Sequence, residues 1–303
     1  MKYKTILDII GNTPLLELPL AQPATVYAKL EYLNPGGSIK DRSARYMVEE
    51  AEKKGLLKPG GTLVDASSGN HGIAIAMIGA AKGYKVIIAV SEKTSNEKVQ
   101  TLRAYGADVI ICPATEFIED AQSYHSVACK IHAETPNSFM PNQYFNIINA
   151  HCHYFSLGPE IWEQTQGAIT YFFAGAGTGG TVSGVGAYLK ERNPNVKIIA
   201  VDSVNSYRAT NGHPKPYKIE GLGIDFVSPV LNLDIIDDIV TVTDDDAFAM
   251  IKHLSHAYGL LAGLTSGAVA HAVSTYKQFF KPDDVVVMIC GDSGRAYLSK
   301  NVF

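Results

Sequence analysis

A chain of 303 residues, 46% apolar and 18% charged, can bury a large core and sits at the length where one domain often becomes two. Its net charge of -4 leaves no basic footprint for nucleic acid. No apolar run reaches the roughly 18 residues a membrane span needs.

The start, Met1 to Asp8, lacks an apolar core of signal-peptide length. The cysteines Cys112, Cys129, Cys152 and Cys290 are too few for a disulfide framework in a chain this long. A cytoplasmic protein is the expectation.

In chain order, residues 9–16 form an apolar segment broken by a turn, and 26–31 alternate like a strand. Asn34-Pro35-Gly36-Gly37 is turn chemistry, because proline fixes φ and glycine accepts positive φ. Ser38 is placed to cap a helix over 38–54, with Asp41 three residues on at a capping-box spacing. Lys40 then falls in the first helical turn, where the positive end of the helix dipole disfavours an ammonium. A lysine with a lowered pKa suits a Schiff-base nucleophile.

Strands are expected at 62–65, 85–90, 108–112, 169–174, 197–202 and 285–289. Helices are expected at 73–81, 96–105, 180–191, 244–258 and 267–279. The alternation argues for a doubly wound α/β fold with mostly parallel sheets. A domain boundary is expected near 141–150, where Pro, Asn and Gln interrupt the periodicity. His151-Cys152-His153 is not read as a metal site, since neighbours on a helix point apart and no second Cys/His pair has ligand spacing.

Two further stretches carry chemistry. Ser67-Ser68-Gly69-Asn70-His71-Gly72 joins a strand to a helix, so its N–H groups and hydroxyls suit a carboxylate, though a plain helix cap fits equally. Gly175-Ala176-Gly177-Thr178-Gly179-Gly180-Thr181 also joins a strand to a helix and reads as a phosphate cradle. Gly175, Gly177 and Gly180 fit G-x-G-x-x-G as well, and Asp202 lies about 20 residues on, where a ribose-binding acid would sit. A NAD-binding Rossmann dehydrogenase is therefore an alternative of a different class. It leaves the Lys40 and Asn70 stretches unexplained.

Together, the motifs at 34–42, 67–72 and 177–181 resemble the cysteine synthase/cystathionine β-synthase family of pyridoxal-phosphate enzymes, fold type II. Ile10-Gly11-Asn12-Thr13-Pro14-Leu15, Gly158-Pro159-Glu160-Ile161-Trp162, Gly221-Leu222-Gly223 and residues 292–298 extend the resemblance over nearly the whole chain. It implies two α/β/α domains with pyridoxal 5'-phosphate in the cleft between them. Residues 1–40 plus 146–303 would form the larger, cofactor-binding domain, and 41–145 a smaller, mobile one that closes over substrate.

The resemblance also implies roles. Lys40 would form the internal aldimine and move the α-proton, and Asn70 would bind the ring hydroxyl. Gly177, Thr178, Gly179, Gly180 and Thr181 would hold the phosphate. Thr265, with Ser266 as runner-up, would meet the pyridine nitrogen. A neutral hydroxyl there would weaken the electron sink and suit β-elimination. Ser67, Ser68 and Gln143 would hold the substrate carboxylate, with Gly221 also on the substrate side.

The implied reaction is β-replacement on an activated serine through an α-aminoacrylate. Cysteine synthase, joining O-acetylserine and sulfide, is favoured. A cystathionine β-synthase-like, phosphoserine-dependent or diaminopropionate-type enzyme is the alternative. His71 departs from the threonine usual in the asparagine loop and would tune the leaving group or reshape the pocket. Asp225, after the Gly221–Gly223 turn, resembles the cystathionine β-synthase branch, where an acid could bind homocysteine. Small amino-acid substrates, a homodimer and a serine acetyltransferase partner are what this family implies.

Overall fold

Apolar runs punctuated by glycine and proline become the strands of two sheets. The computed structural model describes residues 2–67, 69–115, 119–223 and 226–303. By internal contacts the chain divides into two units, Met1–Ile10 with Asn34–Gln143, and Gly11–Leu33 with Tyr144–Phe303. The second unit opens with β1 (Leu15–Leu18) and β2 (Thr25–Leu30), which pair antiparallel.

The smaller unit then runs α1 (Lys40–Lys53), β3 (Thr62–Ala66), α2 (Asn70–Lys82), β4 (Lys85–Ser91), α3 (Asn96–Ala104), β5 (Asp108–Cys112), α4 (Tyr124–Glu134) and β6 (Ser138–Phe139). Its sheet has the order β5-β4-β3-β6, and all described pairings are parallel. Every residue of β3 is buried, as expected for a parallel strand covered on both faces. Leu63 faces the α1–α2–α3 core with Ile75, Ile78 and Leu102, while Val64 faces the α4 side with Ala89 and Ala128.

The larger unit resumes with α5 (Ile148–Phe155), α6 (Leu157–Gln164), β7 (Tyr171–Gly175), α7 (Gly180–Arg192), β8 (Lys197–Ser203), β9 (Asp238–Val242), α8 (Asp244–Tyr258), α9 (Leu264–Tyr276) and β10 (Val285–Cys290). Its sheet has the order β1-β2-β10-β7-β8-β9. Phe173, Val201, Val286, Met288 and the inner faces of α8 and α9 form its core. Each fully buried Val, Leu, Ile, Phe or Met side chain there contributes roughly 1.5–3 kcal/mol.

Residues 1–10 and 34–40 lie with the smaller unit, whereas the sequence expectation placed them with the larger one. The reason is long-range: Arg45 Nη1 donates to the Leu7 carbonyl at 2.8 Å, and Leu7 packs against Ala44 and Val48. α2 begins at Asn70, three residues before the expected start, because the Ser67 hydroxyl accepts from Gly72 N–H at 3.1 Å and satisfies a first-turn donor. α9 also begins early, at Leu264, and ends at Tyr276, with a short 3-10 turn over Lys277–Phe279.

Candidate active site

In the smaller unit, Gly37 N–H donates to Asn34 O at 2.8 Å and closes the 34–37 turn, with Gly37 at φ +87. The expected Ser38–Asp41 capping box does not form. Ile39 is the residue flanking α1, and no side chain caps that position. Ser38 Oγ instead accepts from Lys40 N–H at 3.2 Å, and Asp41 reaches back to accept from Gly36 N–H at 2.6 Å. A Cβ on Gly36 would lie 2.5 Å from an Asp41 oxygen, so the carboxylate is wrapped around the turn. Lys40 is the first residue of α1, half-buried.

The asparagine loop is braced from two sides. Ser67 Oγ accepts from Gly72 N–H, and from Gly69 N–H at 3.4 Å. His71 Nδ1 lies 2.8 Å from Asp65 Oδ2, and both side chains are almost fully buried. A carboxylate only accepts, so Nδ1 carries the proton of this bond. Asn70 opens α2 behind Gly69, with no side-chain cap. The hydroxyl that serves the first turn of α2 is thus that of Ser67, two residues before the flanking Gly69. Gln143 is buried at the last position of the unit, and Ser68 lies outside the described residues.

In the larger unit, the loop after β7 meets the start of α7, which has no side-chain cap. Gly179 sits at φ +88. A Cβ on Gly177 would come 2.4 Å from the Gly221 carbonyl, and one on Gly180 would come 2.3 Å from Asn149 Oδ1. The loop 177–181 is thus closely packed by its neighbours, with Thr178, Gly179 and Gly180 buried, at a helix end that favours an anion. Ser228 Oγ donates to the Thr178 carbonyl at 2.9 Å and steadies the loop from outside. Asn149 Nδ2 donates to Thr178 Oγ1 at 3.0 Å, and His153 Nε2 lies 3.4 Å from Thr181 Oγ1.

Thr265 Oγ1 donates to Glu220 O at 2.9 Å, one residue before Gly221. Ser266, the runner-up, is fully buried and accepts from Gly291 N–H at 3.2 Å. Complete burial pushes the neighbouring Cys290 thiol up to about 12. Asp225 lies outside the described residues.

Asp202 does not fit the ribose-binding role. Oδ1 accepts from Ser203 N–H at 2.8 Å and Oδ2 from Ser206 Oγ at 2.7 Å, on a buried side chain. Burial raises its pKa, against the opposing pull of Ser206, Ser203 N–H and the Arg208 charge. Among the described residues, no group of three or more His, Cys, Asp or Glu side chains has metal-holding geometry. In the His151-Cys152-His153 run, Cys152 and His153 are buried and His151 is exposed.

Sequence reasoning missed Asp65, Asn149, His153 and Ser228 at these two loops. The Asn149/His153 spacing of four on one helix face was the available signal.

The model of the family described as "Pyridoxal-phosphate dependent enzyme" matches residues 6–291. The chain belongs to this family. It is therefore a pyridoxal-phosphate enzyme of fold type II, and the dehydrogenase alternative falls. The chain is 42% identical to "Cystathionine beta-synthase" of Apis mellifera, over 98% of this chain and 61% of that one. It thus spans about three fifths of that relative's length. It is 40% identical to "Cysteine synthase" of Staphylococcus aureus, over 98% of this chain and 96% of that one. A solved structure, "O-acetylserine dependent cystathionine beta-synthase from Helicobacter pylori", superposes with TM-score 0.92 at 36% identity, covering 100% of this chain and 99% of that one.

The residues present fit the cofactor. The α7 start, with no side-chain cap at Gly179, and its glycine backbone suit a phosphate, and Lys40 carries an amine of the kind the family's chemistry needs. Among the described residues, no helix is long and apolar enough to cross a membrane.

Proposed function

We propose that this enzyme performs β-replacement on a serine-derived amino acid, making cysteine from O-acetylserine and sulfide. The observation that carries this reading is the family match over residues 6–291 with Lys40 and the 177–181 loop both intact. When bound, pyridoxal 5'-phosphate supplies the electron sink that lets a β-substituent leave.

The chain's own residues do the rest. Lys40 would hold the cofactor through Nζ and would take the proton from the substrate α-carbon. Asn70 orients the ring. Gly177, Thr178, Gly179, Gly180 and Thr181 anchor the phosphate with backbone N–H groups and hydroxyls. Ser67, Ser68 and Gln143 hold the substrate carboxylate. The Ser67 oxygen already accepts from Gly72 N–H, so its own proton is the one to donate. Thr265 faces the ring nitrogen, and Gly221 lines the substrate side.

A second reading is supported by the Apis mellifera and Helicobacter pylori relatives. In that reading homocysteine would replace sulfide, and Asp225, which lies outside the described residues, would bind its amino group. His71 shapes the pocket in either case. A smaller domain that closes over substrate, a cytoplasmic homodimer and a serine acetyltransferase partner complete the proposal.

The test is the visible spectrum of the purified protein with O-acetylserine, O-phosphoserine or serine. One donor is expected to convert the lysine-bound band, and sulfide or homocysteine to restore it. Lys40→Ala is expected to lack the band. A wild-type protein with no band after loading with pyridoxal 5'-phosphate would overturn the proposal.

A further inference from the structure

Polar side chains of α5 back the 177–181 loop. Helix α5 presents Asn149 and His153, four residues apart on one face, to the first turn of α7. Both side chains are 1% exposed. The approach is tight: a Cβ on Gly184 would lie 2.1 Å from the Ala150 carbonyl and 2.9 Å from His153 Cβ. Among the partners of Asn149 and His153 are the two hydroxyls of the loop.

A threonine hydroxyl has one proton to give and lone pairs to receive. Asn149 Nδ2 donates to Thr178 Oγ1 at 3.0 Å and Gly180 N–H reaches the same oxygen at 3.4 Å, so that oxygen is occupied as an acceptor from behind. The Thr178 proton is then left for something in front of the loop. A phosphate has only acceptors to offer apart from its acidic proton, so it needs O–H groups turned towards it. The same logic applies to Thr181, whose oxygen lies 3.4 Å from His153 Nε2. If Thr181 gives its proton to phosphate, the ring nitrogen behind it must be the donor, which selects the Nε2–H tautomer.

We infer that Asn149 and His153 are positioning residues that fix the hydrogen-bond polarity of the phosphate loop, turning Thr178 and Thr181 into outward donors. The inference rests on the reading of 177–181 as the cofactor's phosphate site. The two residues touch neither phosphate nor substrate and act through the hydroxyls.

The test measures the dissociation constant of pyridoxal 5'-phosphate from the holoenzyme and the phosphorus NMR shift of the bound phosphate. Asn149→Asp keeps the shape but replaces the donor by an acceptor, which recaptures the Thr178 proton. It is expected to weaken cofactor binding by about tenfold or more, since hydrogen bonds to charged groups are the strong ones. The bound phosphorus resonance is expected to move. His153→Leu is expected to weaken binding severalfold, whereas His153→Gln, whose amide nitrogen reaches the Nε2 position, restores it to within about twofold.

If Asn149→Asp fails to fold, Asn149→Ala is combined with Thr178→Val in a double-mutant cycle. Coupled losses support action through the Thr178 hydroxyl, and additive losses overturn it. Variants that bind the cofactor as tightly as wild type, with an unmoved phosphorus signal, overturn the inference while leaving the function standing. A wild-type protein that binds no cofactor fails the functional reading itself.

Discussion

Single residues in the two loops decide more than their motifs suggest. His71 stood out in the sequence as a departure from threonine, but its partner did not, because Asp65 belongs to a different element. The structure makes the two a buried pair at 2.8 Å. Replacing the histidine leaves a buried carboxylate without that donor, a loss that costs about 1–3 kcal/mol or more. His71→Thr is therefore expected to destabilise strongly in urea unfolding, and Asp65→Asn combined with His71→Thr to recover part of the loss. Equal destabilisation in the single and double variants would remove the pair from the account. Asp202 has the opposite character. Burial raises its pKa, so the native state binds its proton more tightly than the unfolded chain does. The contribution is most favourable below the ordinary carboxylate range and is lost as pH rises through the raised value. Asp202→Asn removes that dependence. The melting-temperature difference, wild type minus variant, is expected to fall as pH rises from about 4, the ordinary Asp value. A difference that stays flat with pH would sink the assignment.

At the scale of elements, what the sequence revealed follows how one-sided each segment's burial is. α8 (Asp244–Tyr258), which buries Ala247, Ile251 and Leu254 at helical spacing, has the bounds its pattern predicts. α4 buries only Ala128 among its described positions, and β1 has the pattern of a half-exposed edge, so neither shows a clear period. The α9 start was misplaced because a glycine was read as a helix opening. Gly267 lies inside α9 and is there for α8: a Cβ would meet Ile251 Cγ2 at 2.4 Å and the Ala247 carbonyl at 2.5 Å. Alanine in a helix gains about 1 kcal/mol over glycine, while overpacking against backbone costs about 1–3 kcal/mol. Packing has the larger range, so Gly267→Ala is expected to lower the thermal midpoint. A raised midpoint would mean that α8 and α9 separate easily.

For the whole molecule, the recognisable motifs gave the fold class and the candidate site early, since turn chemistry and strand–loop–helix order are local. The division into units was less legible, because it depends on contacts such as Arg45 to Leu7, 38 residues apart. Each unit buries its own apolar cluster, with Ile78, Ile88 and Leu102 in one and Phe173, Val201 and Val286 in the other. Stability is then expected to be uneven, with cooperative openings that follow a unit rather than the full chain. Ile78→Ala removes a fully buried side chain from α2 and costs about 2–5 kcal/mol. Hydrogen exchange read strand by strand should place that loss in β3, β4 and β5. The amides of β7, β8 and β10 should keep their wild-type protection under conditions where the native state dominates. If all six strands lose protection together, the two cores open as one, and the division by contacts has no energetic counterpart.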